Sequence, residues 1–567
     1  MFDKVIRIDM TKIEATEEIL AEQYKQLSGR TLSSRLVSDE IPPFADSLGP
    51  HNKIFITCGL LAGTTVSSAN RLSIGSKSPL TGGIKESNAG GIAAYKMGRL
   101  GIRAIVLEGL REDDNWYIAV INKDGCRLKE ASGLKGKGIY DKATLLYEEF
   151  GEKIGIILIG PAGERLLFTA GVANNDGDGA PGRFSGRGGL GAVMGSKHLL
   201  AIVLDDTGCI VSEAAEKDLF KEKVKLFHKG ILETTQTNET LPKYGTASLV
   251  DVTNALGGLP TRNFQTGRFE QADKINAQSL YDTIKKRAGE GNTTHSCMPG
   301  CIIRCSNIFA DENGKTIVSP LEYETISLAG SNLEIGDLDT IARINYDCND
   351  YGVDTIDIGA AIGVAMEAGI LNFGDKDAVL SLMQEVKEGT PLGRIIASGC
   401  AITGKVLGIR RAPVVKGQAM AAYEPRAVKG TAITYMTSPM GADHTAGNLV
   451  RTNIKPDMKE QLVVASRDAQ IAMTIFDGLG FCMFIAASVK DRQILVDLVN
   501  ARFGWDITKE DLVQIARENM ILEREYNRKA GFTEAHDRLP EHFYEEENPV
   551  TGTVFDITEE DLEKLVF

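Results

Sequence analysis

The chain changes its pattern of hydrophobic and polar positions near residue 208. Before that point, short runs of β-branched and aromatic residues alternate with glycine-rich turns, and long helical patterns are scarce. Runs of this composition are typical of strands. We therefore predict a sheet-based N-terminal part with strands at 4–10, 53–57, 104–108, 116–121, 154–159 and 201–204.

Beyond residue 208, apolar residues recur at helical spacing. Ser212 is a residue type that caps helices, so we expect it to begin one. The residues expected on the apolar face of that helix are Ala215, Leu219, Val224 and Phe227. The stretch 341–371 is long and rich in alanine and isoleucine, with polar residues on one side, and it also predicts helix.

Two capping signals lie near the C-terminus. Thr508 followed by Asp511 predicts the start of a helix, and Thr558 with Asp561 repeats the pattern. The residues that the first of these helices is expected to bury are Leu512, Ile515 and Ala516.

These patterns predict an α+β fold. A β-rich N-terminal domain (1–208) is expected to precede two mostly α-helical domains (209–410 and 411–567), with the second boundary at the basic turn 409–413. A chain of 567 residues is too long for one core, which agrees with several domains. No internal repeat is apparent in the sequence.

Composition and charge narrow the class of protein. The chain has 43% hydrophobic and 25% charged residues, as ordinary globular proteins do, and a net charge of −14. Nucleic acid is not expected as a partner, because phosphate binding needs a basic surface. We see no signal peptide and no apolar run long enough for a membrane helix. The nine cysteines do not have the spacing of a disulfide scaffold, which favours a reducing cytoplasm.

Three of those cysteines form the strongest chemical signal. Cys297, Cys301 and Cys305 lie at four-residue spacing. Three thiolates on one segment can bind three irons of a cubane cluster, whose fourth ligand then comes from elsewhere in the chain. Cys482 is the best remote candidate, because Gly480 lets the nearby backbone approach a bulky group. The pattern favours a redox-active iron–sulfur site.

Two alternatives compete for this segment. Free cysteine is among the most buried residue types, so the triplet is also compatible with reduced thiols in a core. Zinc is the other alternative, since His295 lies beside the triplet. No second paired Cys or His motif follows, which makes zinc the weaker of the two metals.

Glycine-rich loops offer sites for phosphate groups. Gly186-Arg-Gly-Gly-Leu-Gly191 matches G-x-G-x-x-G, but 174–183 reads as a loop, whereas a dinucleotide-binding fingerprint must directly follow a strand. An NAD-dependent dehydrogenase is therefore disfavoured. The backbone of this loop, with Arg183 and Arg187, can still bind phosphate. The stretch 71–91 is a second loop of this kind.

The chain resembles the aldehyde:ferredoxin oxidoreductase family of tungsten or molybdenum bis-pterin enzymes nearly from end to end. The N-terminal motifs that carry the resemblance are K-S-P-L-T-G (77–82), N-A-G-G (88–91), I-G-P-A-G-E (159–164) and G-R-G-G-L-G-A-V-M-G-S-K (186–197). Later ones include L-P-K-Y-G-T (241–246), N-F-Q-T-G (263–267), E-Y-E-T (322–325), C-N-D-Y-G-V-D-T-I (348–356) and A-Y-E-P-R (422–426).

The resemblance implies which residues bind the two pterins. Arg71, Asn88, Ser185, Gly186 and Arg187 are expected at the pterin phosphates or at the Mg²⁺ that bridges them. The family uses two D-x-x-G-L-(D/C) motifs, which here comprise Asn349, Gly352, Val353 and Asp354, and Asp477, Gly480, Phe481 and Cys482. Asn349 replaces a carboxylate, so that contact keeps an acceptor, gains donors and loses charge.

The cysteine motif departs from that of the best-known members. The first cysteine of their C-x-x-C-x-x-x-C run aligns with Thr294, and Cys305 is extra. We infer that Cys297, Cys301, Cys305 and Cys482 hold a [4Fe–4S] cluster, with His295 as a weaker alternative ligand. No E-x-x-H motif lies where some members bind an iron at a dimer interface, so a homodimer and a hetero-oligomer both stay open.

Two residues are expected to do chemistry by resemblance. Glu324 and His444 fall where the family has an active-site carboxylate and histidine. Oxidation of a carbonyl carbon needs a base to activate water and a donor for the developing oxyanion. The alternatives are a surface acid for Glu324 and a hydrogen-bonded loop residue for His444.

The implied reaction is oxidation of an aldehyde to a carboxylic acid, or its reverse. Electrons would pass through the cluster to ferredoxin or to a ferredoxin-like iron–sulfur subunit. The alternatives are the same cofactor acting on 2-hydroxy acids or aromatic acyl-CoA, and a non-catalytic electron-transfer subunit with the cluster alone. Sequence does not decide between tungsten and molybdenum.

Overall fold

A computed structural model describes residues 2–562. Two six-stranded sheets occupy the first 204 residues, and shorter strands follow. The strands are β1 Lys4–Asp9, β2 Glu14–Ile19, β3 Ile54–Cys58, β4 Leu72–Lys77, β5 Ile84–Ala89, β6 Ile102–Glu108, β7 Tyr117–Asn122, β8 Gly125–Glu130, β9 Gly155–Leu158, β10 Val172–Asn174, β11 Arg183–Ser185, β12 Leu199–Leu204, β13 Asn292–His295, β14 Ser306–Ala310, β15 Thr316–Val318, β16 Val414–Val415 and β17 Gln418–Ala419.

Most α-helices follow the two sheets. They are α1 Gly29–Glu40, α2 Ala93–Leu100, α3 Ile139–Phe150, α4 Pro161–Glu164, α5 Leu190–Ser196, α6 Lys217–Glu233, α7 Leu241–Tyr244, α8 Leu249–Leu256, α9 Ala277–Arg287, α10 Tyr323–Leu328, α11 Leu338–Tyr351, α12 Thr355–Glu367, α13 Lys376–Glu388, α14 Pro391–Ala397, α15 Cys400–Leu407, α16 Lys429–Thr437, α17 Lys459–Leu479, α18 Gln493–Phe503, α19 Lys509–Lys529, α20 His542–Glu545 and α21 Glu559–Leu562. The predicted α+β class is confirmed, whereas the boundary between two helical domains near residue 410 stays a prediction.

The two sheets have the same topology. Their strand orders are β2-β1-β6-β3-β4-β5 and β8-β7-β12-β9-β10-β11, and in each only the pair formed by the first and last strands along the chain is parallel. Helices also lie at equivalent places in the two units. α1 and α3 each follow the second strand of their unit, and α2 and α5 each precede its last strand. The N-terminal part is therefore a structural duplication, although no repeat is apparent in its sequence.

The strand predictions were right for the strands that are rich in apolar residues. All six predicted strands are present, as β1, β3, β6, β7, β9 and β12, with ends shifted by at most two residues. These strands bury continuous or alternating apolar side chains. The strands that the pattern missed include β4, β5 and β11, which are buried yet rich in glycine, serine and charged residues. Their buried polar side chains are hydrogen-bonded to other segments or line the internal cavities, so the hydrophobic pattern does not identify these strands.

Two helix predictions need correction. The first helix after the sheets begins at Lys217, and Ser212 instead accepts hydrogen bonds from Arg502 through its Oγ and its carbonyl oxygen. Of its predicted apolar face, Val224 and Phe227 are buried, whereas Leu219 is exposed and Ala215 precedes the helix.

The segment 341–371 is two helices rather than one. α11 ends at Tyr351, and Gly352 terminates it with a left-handed φ of 84°. Asp354 then caps α12 by accepting hydrogen bonds from the amides of Ile356 and Asp357. The interruption is the predicted first pterin motif itself.

Both C-terminal capping predictions are confirmed. Thr508 and Asp511 form a reciprocal capping box at the start of α19, which buries Leu512 and Ala516 and half-buries Ile515. Thr558 and Asp561 exchange the same bonds ahead of α21.

The glycine-rich loop has a different context from the predicted one. The loop expected at 174–183 is present over 175–182, but strand β11 follows it and runs directly into Gly186, so the expectation that no strand precedes the glycine-rich loop was wrong. The unit is still not a dinucleotide-binding fold, because β11 pairs with β10 in antiparallel fashion and is separated from β12 by two strands of the sheet.

Helix ends dock onto the sheets at two equivalent places. The carbonyl of Gly480, at the end of α17, accepts a hydrogen bond of 3.1 Å from the amide of Arg71, and that of Gly352 accepts one of 3.0 Å from Gly171. Two residues further on, the amide of Cys482 donates to Ser68 and that of Asp354 to Thr169. The two predicted pterin motifs therefore occupy the same position in the two units.

A buried ion pair also joins the first sheet to the C-terminal helices. Arg30 on α1 makes two hydrogen bonds to Glu523 on α19, of 3.0 and 2.7 Å, and lies 3.6 Å from Asp477 on α17. Arg30 and Glu523 are 3% and 0% exposed. Within the part of the chain that the structure describes, no helix is long and apolar enough to cross a membrane.

This pair gives a prediction about stability. Replacing Glu523 with alanine leaves the Arg30 guanidinium buried without its main partner, so we expect the free energy of unfolding to fall by about 3–5 kcal/mol. Chemical denaturation followed by circular dichroism measures it. Glu518→Ala, on an exposed position of the same helix, is the control and should change stability by less than about 0.5 kcal/mol. Equal effects of the two variants would show that the pair does not hold these elements together.

Candidate active site

The four predicted ligand cysteines come together. Cys297, Cys301 and Cys305 lie on the loop between β13 and β14, and Cys482 follows the end of α17. Cys297, Cys305 and Cys482 line one cavity of about 270 Å³, which we call the cysteine cavity. Cys301 packs in the same apolar cluster, with its Sγ 3.6 Å from the Ser68 hydroxyl. A long-range contact thus adds the fourth thiol to the sequential triplet.

The surroundings favour the protonated form of three of these thiols in the absence of a cation. Burial and the neighbouring thiol of Cys301 raise the pKa of Cys297 to about 12. Burial also raises the pKa values of Cys305 and Cys482. A positively charged iron cluster would reverse this balance, because its ligands bind as thiolates and release their protons.

The imidazole ring of His295 contacts two carboxylates. Its Nε2 lies 2.9 Å from Asp176 and its Nδ1 lies 3.5 Å from Asp178, while Arg183 also contacts Asp176. Both ring nitrogens therefore have partners other than a metal. Among the residues described, no group of three or more His, Cys, Asp or Glu side chains has a geometry that could hold a single metal ion.

One wall of the cysteine cavity is a polar network from the first unit. The guanidinium of Arg71 donates to the side chain and the carbonyl of Asn88, and the Asn88 amide donates to Asp477 at 3.2 Å. Burial and the nearby carboxylate of Glu86 raise the pKa of Asp477 to about 8. The structure thus brings together the predicted residues Arg71, Asn88 and Asp477.

The second unit contributes the walls of a neighbouring cavity of about 250 Å³, which we call the central cavity. Gly186, Arg187, Asn349, Val353 and Asp354 line it, and Asn88 lies in the walls of both cavities. Ser185 is fully buried beside them, and its hydroxyl has no hydrogen-bond partner.

Arg187 has a mainly structural set of partners. Its guanidinium donates to Asp354 and to the carbonyls of Ala419 and Ala442, and it lies 3.5 Å from Asp357. Every side-chain nitrogen is thus engaged by the protein, and the backbone amide donates a long hydrogen bond of 3.4 Å to the Ser87 hydroxyl.

The remaining motif residues shape the backbone. Gly352 and Gly480 both have left-handed φ values, and an added Cβ would meet the backbone of Gly160 or Gly59 at 2.9 or 2.8 Å. Phe481 is fully buried and packs on Phe227, away from the cavities. Its contribution is therefore packing.

The predicted catalytic pair meets at the edge of the central cavity. Glu324 lies in the first turn of α10, and its Oε2 accepts a hydrogen bond of 2.8 Å from the amide of Ala422. Its Oε1 lies 3.3 Å from Nε2 of His444, but the geometry is not that of a hydrogen bond. Oε1 of Glu324 and Nδ1 of His444 are buried and have no hydrogen-bond partner.

The loop that carries His444 is held by a buried ion pair. Asp443 accepts a hydrogen bond of 2.8 Å from the fully buried ammonium of Lys85, and others from Thr445. Burial alone would raise the pKa of Asp443, but Lys85 and Arg187 hold it well below its usual range. Asp443 therefore stays an anion and caps the short turn 444–446, which carries His444. Sequence reasoning did not identify Lys85, because nothing in the sequence distinguishes a buried, ion-paired lysine from a solvent-exposed one.

A third cavity opens beyond this pair. It has a volume of about 400 Å³ and is lined mostly by apolar side chains, and we call it the outer cavity. Glu324 and His444 line both the central and the outer cavity, and Glu322 lines all three. Burial raises the pKa of Glu322, which accepts a hydrogen bond from Thr246. Sequence reasoning missed Glu322, although it lies in the same E-Y-E-T motif as Glu324.

These walls fit the groups that the resemblance implies. Four thiols in an apolar cluster are the donor set of a cubane iron–sulfur cluster. In the next cavity, unpartnered polar atoms such as Ser185 Oγ point to a polar ligand, because buried polar groups are normally hydrogen-bonded.

Comparison with known proteins identifies the family. Residues 5–206 match the model of the aldehyde ferredoxin oxidoreductase N-terminal domain, and 222–566 match that of its domains 2 and 3. The chain is 31% identical to a tungsten-containing aldehyde ferredoxin oxidoreductase of Pyrococcus horikoshii, over 96% of this chain and 92% of that protein. It is 25% identical to the WOR-like subunit of an aliphatic sulfonate oxidoreductase of Pyrococcus furiosus, over 89% of this chain and 82% of that subunit.

A solved structure shows the same fold. The active site complex of benzoyl coenzyme A reductase with 1,5-dienoyl-CoA contains a chain that superposes with a TM-score of 0.82 at 19% identity, covering 100% of this chain and 93% of that one. The two family models and the relatives thus point to the same family as the sequence motifs do. The chain is therefore an oxidoreductase that belongs to the aldehyde ferredoxin oxidoreductase family.

Proposed function

We propose that this protein oxidises aldehydes to carboxylic acids with a tungsten bis-pterin cofactor, and passes the electrons through a [4Fe–4S] cluster to ferredoxin or a ferredoxin-like iron–sulfur subunit. The observation that carries the proposal is the meeting of the three cavities at Glu322, Glu324 and His444. The relatives named as tungsten enzymes favour tungsten over molybdenum. Nine free cysteines favour a reducing compartment such as the cytoplasm.

The residues that would hold each group follow from their positions. Cys297, Cys301, Cys305 and Cys482 would bind the cluster. Asn88, Asp477, Asn349 and Asp354 offer hydrogen bonds to the pterins, and Arg71, Ser185 and the backbone of Gly186 and Arg187 offer donors to phosphates and to the waters of a bridging Mg²⁺. When bound, the metal–pterin group supplies a two-electron acceptor, and the cluster supplies a one-electron carrier.

The reaction adds one water oxygen to the carbonyl carbon and removes its hydrogen. An aldehyde and water thereby give a carboxylic acid, two protons and two electrons, which reduce two one-electron acceptors. The Oε1 atom of Glu324, which has no hydrogen-bond partner, can accept a proton from water. The amide of Ala422 holds the other oxygen of the same carboxylate.

His444 is placed to stabilise the charge that develops on the carbonyl oxygen. Its ring lies between Glu324 and the aromatic ring of Tyr423, whose centroid is 5.8 Å away, and the Lys85–Asp443 pair fixes its loop. A donor held in this way needs no reorganisation when charge develops. The apolar walls of the outer cavity exclude bulk water from the carbonyl carbon.

Metal content is the first test. Anaerobically purified protein from a host supplied with tungstate and molybdate should contain about one tungsten, about four iron atoms and about two pterins per chain. Elemental analysis by mass spectrometry and pterin fluorescence after oxidation measure them. Iron without either heavier metal or pterin would leave an electron carrier and reject the catalytic proposal.

Glu324→Gln tests the proposed base. Glutamine keeps an oxygen for the Ala422 amide but cannot accept a proton, so we expect kcat for aldehyde oxidation to fall about 10²-fold or more, with metal content unchanged. Steady-state kinetics with a viologen dye as electron acceptor measure the change. Glu312→Gln, at an exposed loop position, is the control. Full activity of the Glu324 variant would remove this residue from the mechanism.

Cys482→Ser tests the fourth cluster ligand. A hydroxyl is a poor ligand for iron in place of a thiolate, so iron content and the visible absorbance of the cluster should fall by about a quarter or more. Cys58→Ser, at a buried thiol that lies in the first sheet, is the control and should retain its iron. Unchanged iron and an unchanged electron paramagnetic resonance spectrum in the Cys482 variant would show that another residue completes the set.

A further inference from the structure

The outer cavity has an uneven distribution of charge. Its two carboxylates, Glu322 and Glu324, lie at the inner end beside His444, and the side chains of Glu324 and His444 are only 16% and 15% exposed. Among the described residues that line this cavity, Arg451 is the one lysine or arginine. Arg451 is exposed, so the positive charge lies at the outer rim.

Arg451 has spare hydrogen-bonding capacity. Its Nη2 lies 3.5 Å from the hydroxyl of Ser248, and no carboxylate in residues 2–562 forms an ion pair with it. Ser248 also lines the cavity and precedes α8, where its hydroxyl donates to the carbonyl of Gly245 instead of capping the helix. Arg451 and Ser248 therefore form a polar rim at the outer end of the cavity.

The middle of the cavity is apolar. Leu249, Tyr423, Val450, Met473 and Phe484 contribute to its walls, and the volume of about 400 Å³ accommodates an aromatic ring with a substituent. A ligand that fills the cavity would thus meet a proton-accepting end, an apolar middle and a cationic rim.

We propose that the substrate is an aldehyde with an apolar or aromatic body and an anionic group at the opposite end, and that Arg451 selects it by binding that group. The inference rests on the proposed function, because it takes the carbonyl to lie at Glu324 and His444. A guanidinium presents a fork of donors that matches the two oxygens of a carboxylate, and it binds a sulfonate or phosphate through the same donors.

Paired substrates test the proposal. Benzaldehyde and 4-formylbenzoate differ only in the anionic group, and 4-formylbenzenesulfonate replaces the planar anion with a tetrahedral one. The wild-type enzyme should have the lower KM for the anionic aldehydes. In Arg451→Gln, the KM for these two should rise about 10-fold with kcat unchanged, while both constants for benzaldehyde stay within about twofold.

Two variants separate recognition from packing. Arg451→Lys keeps the charge but loses the fork, so its KM for 4-formylbenzoate should lie between those of the wild type and the glutamine variant. Arg343→Gln removes an exposed arginine on α11 and should change nothing. The difference between wild type and Arg451→Gln should shrink at high salt, because the guanidinium is exposed.

The possible outcomes are distinct. Equal effects of Arg451→Gln on the neutral and anionic aldehydes, or no effect on either, would overturn the proposed anion site. If the wild-type holoenzyme oxidised none of the aldehydes, the proposed function would fail. The anion site at Arg451 would then be tested separately, by measuring ligand binding. Calorimetric titration with benzene-1,4-dicarboxylate should then show weaker binding in Arg451→Gln than in the wild type, and equal affinities would reject the site.

Discussion

Close contact between glycine backbones is the constraint on which the rest of this structure depends. At Gly59 an added Cβ would meet the carbonyl oxygen of Leu479 at 2.0 Å, and at Gly160 it would meet that of Tyr351 at 2.2 Å. Real Cβ atoms do not come so close, so the ends of α17 and α11 reach the sheets only because glycine has no side chain. This approach places Cys482 beside the cysteine triplet and Asp354 beside Arg187.

The duplication of the sheet explains why there are two such contacts. Each unit receives one helix end through equivalent backbone hydrogen bonds, and each presents polar residues toward the space between the units. The two helix ends nevertheless differ in chemistry. One motif begins with Asn349 and ends with the carboxylate of Asp354, whereas the other begins with Asp477 and ends with the thiol of Cys482. An approximately symmetric frame thus holds an asymmetric site.

Buried charge maintains the geometry where the cavities meet. Lys85 pairs with Asp443 and Arg30 pairs with Glu523, while Arg187 pairs with Asp354 and also lies 3.5 Å from Asp357. Burial of any of these partners by itself would cost several kcal/mol, so each pair fixes the relative position of two segments that are distant along the chain. Where the central and outer cavities meet, Glu324 Oε1 and His444 Nδ1 are buried and make no hydrogen bond, so their hydrogen-bonding capacity is unused.

Sequence alone determined the fold class, the six apolar strands, the capping box of α19 and the sequential cysteine triplet. Each follows from residues close together in the chain, where periodicity and side-chain type decide the local structure. Resemblance added Glu324 and His444, which the structure places 3.3 Å apart. Only the tertiary structure showed the polar strands β4, β5 and β11, the break of 341–371 into two helices, the partners of His295 and the position of Glu322 at all three cavities. These depend on contacts between residues up to several hundred positions apart, because burial of polar groups is decided by what the fold brings against them and not by their neighbours in sequence.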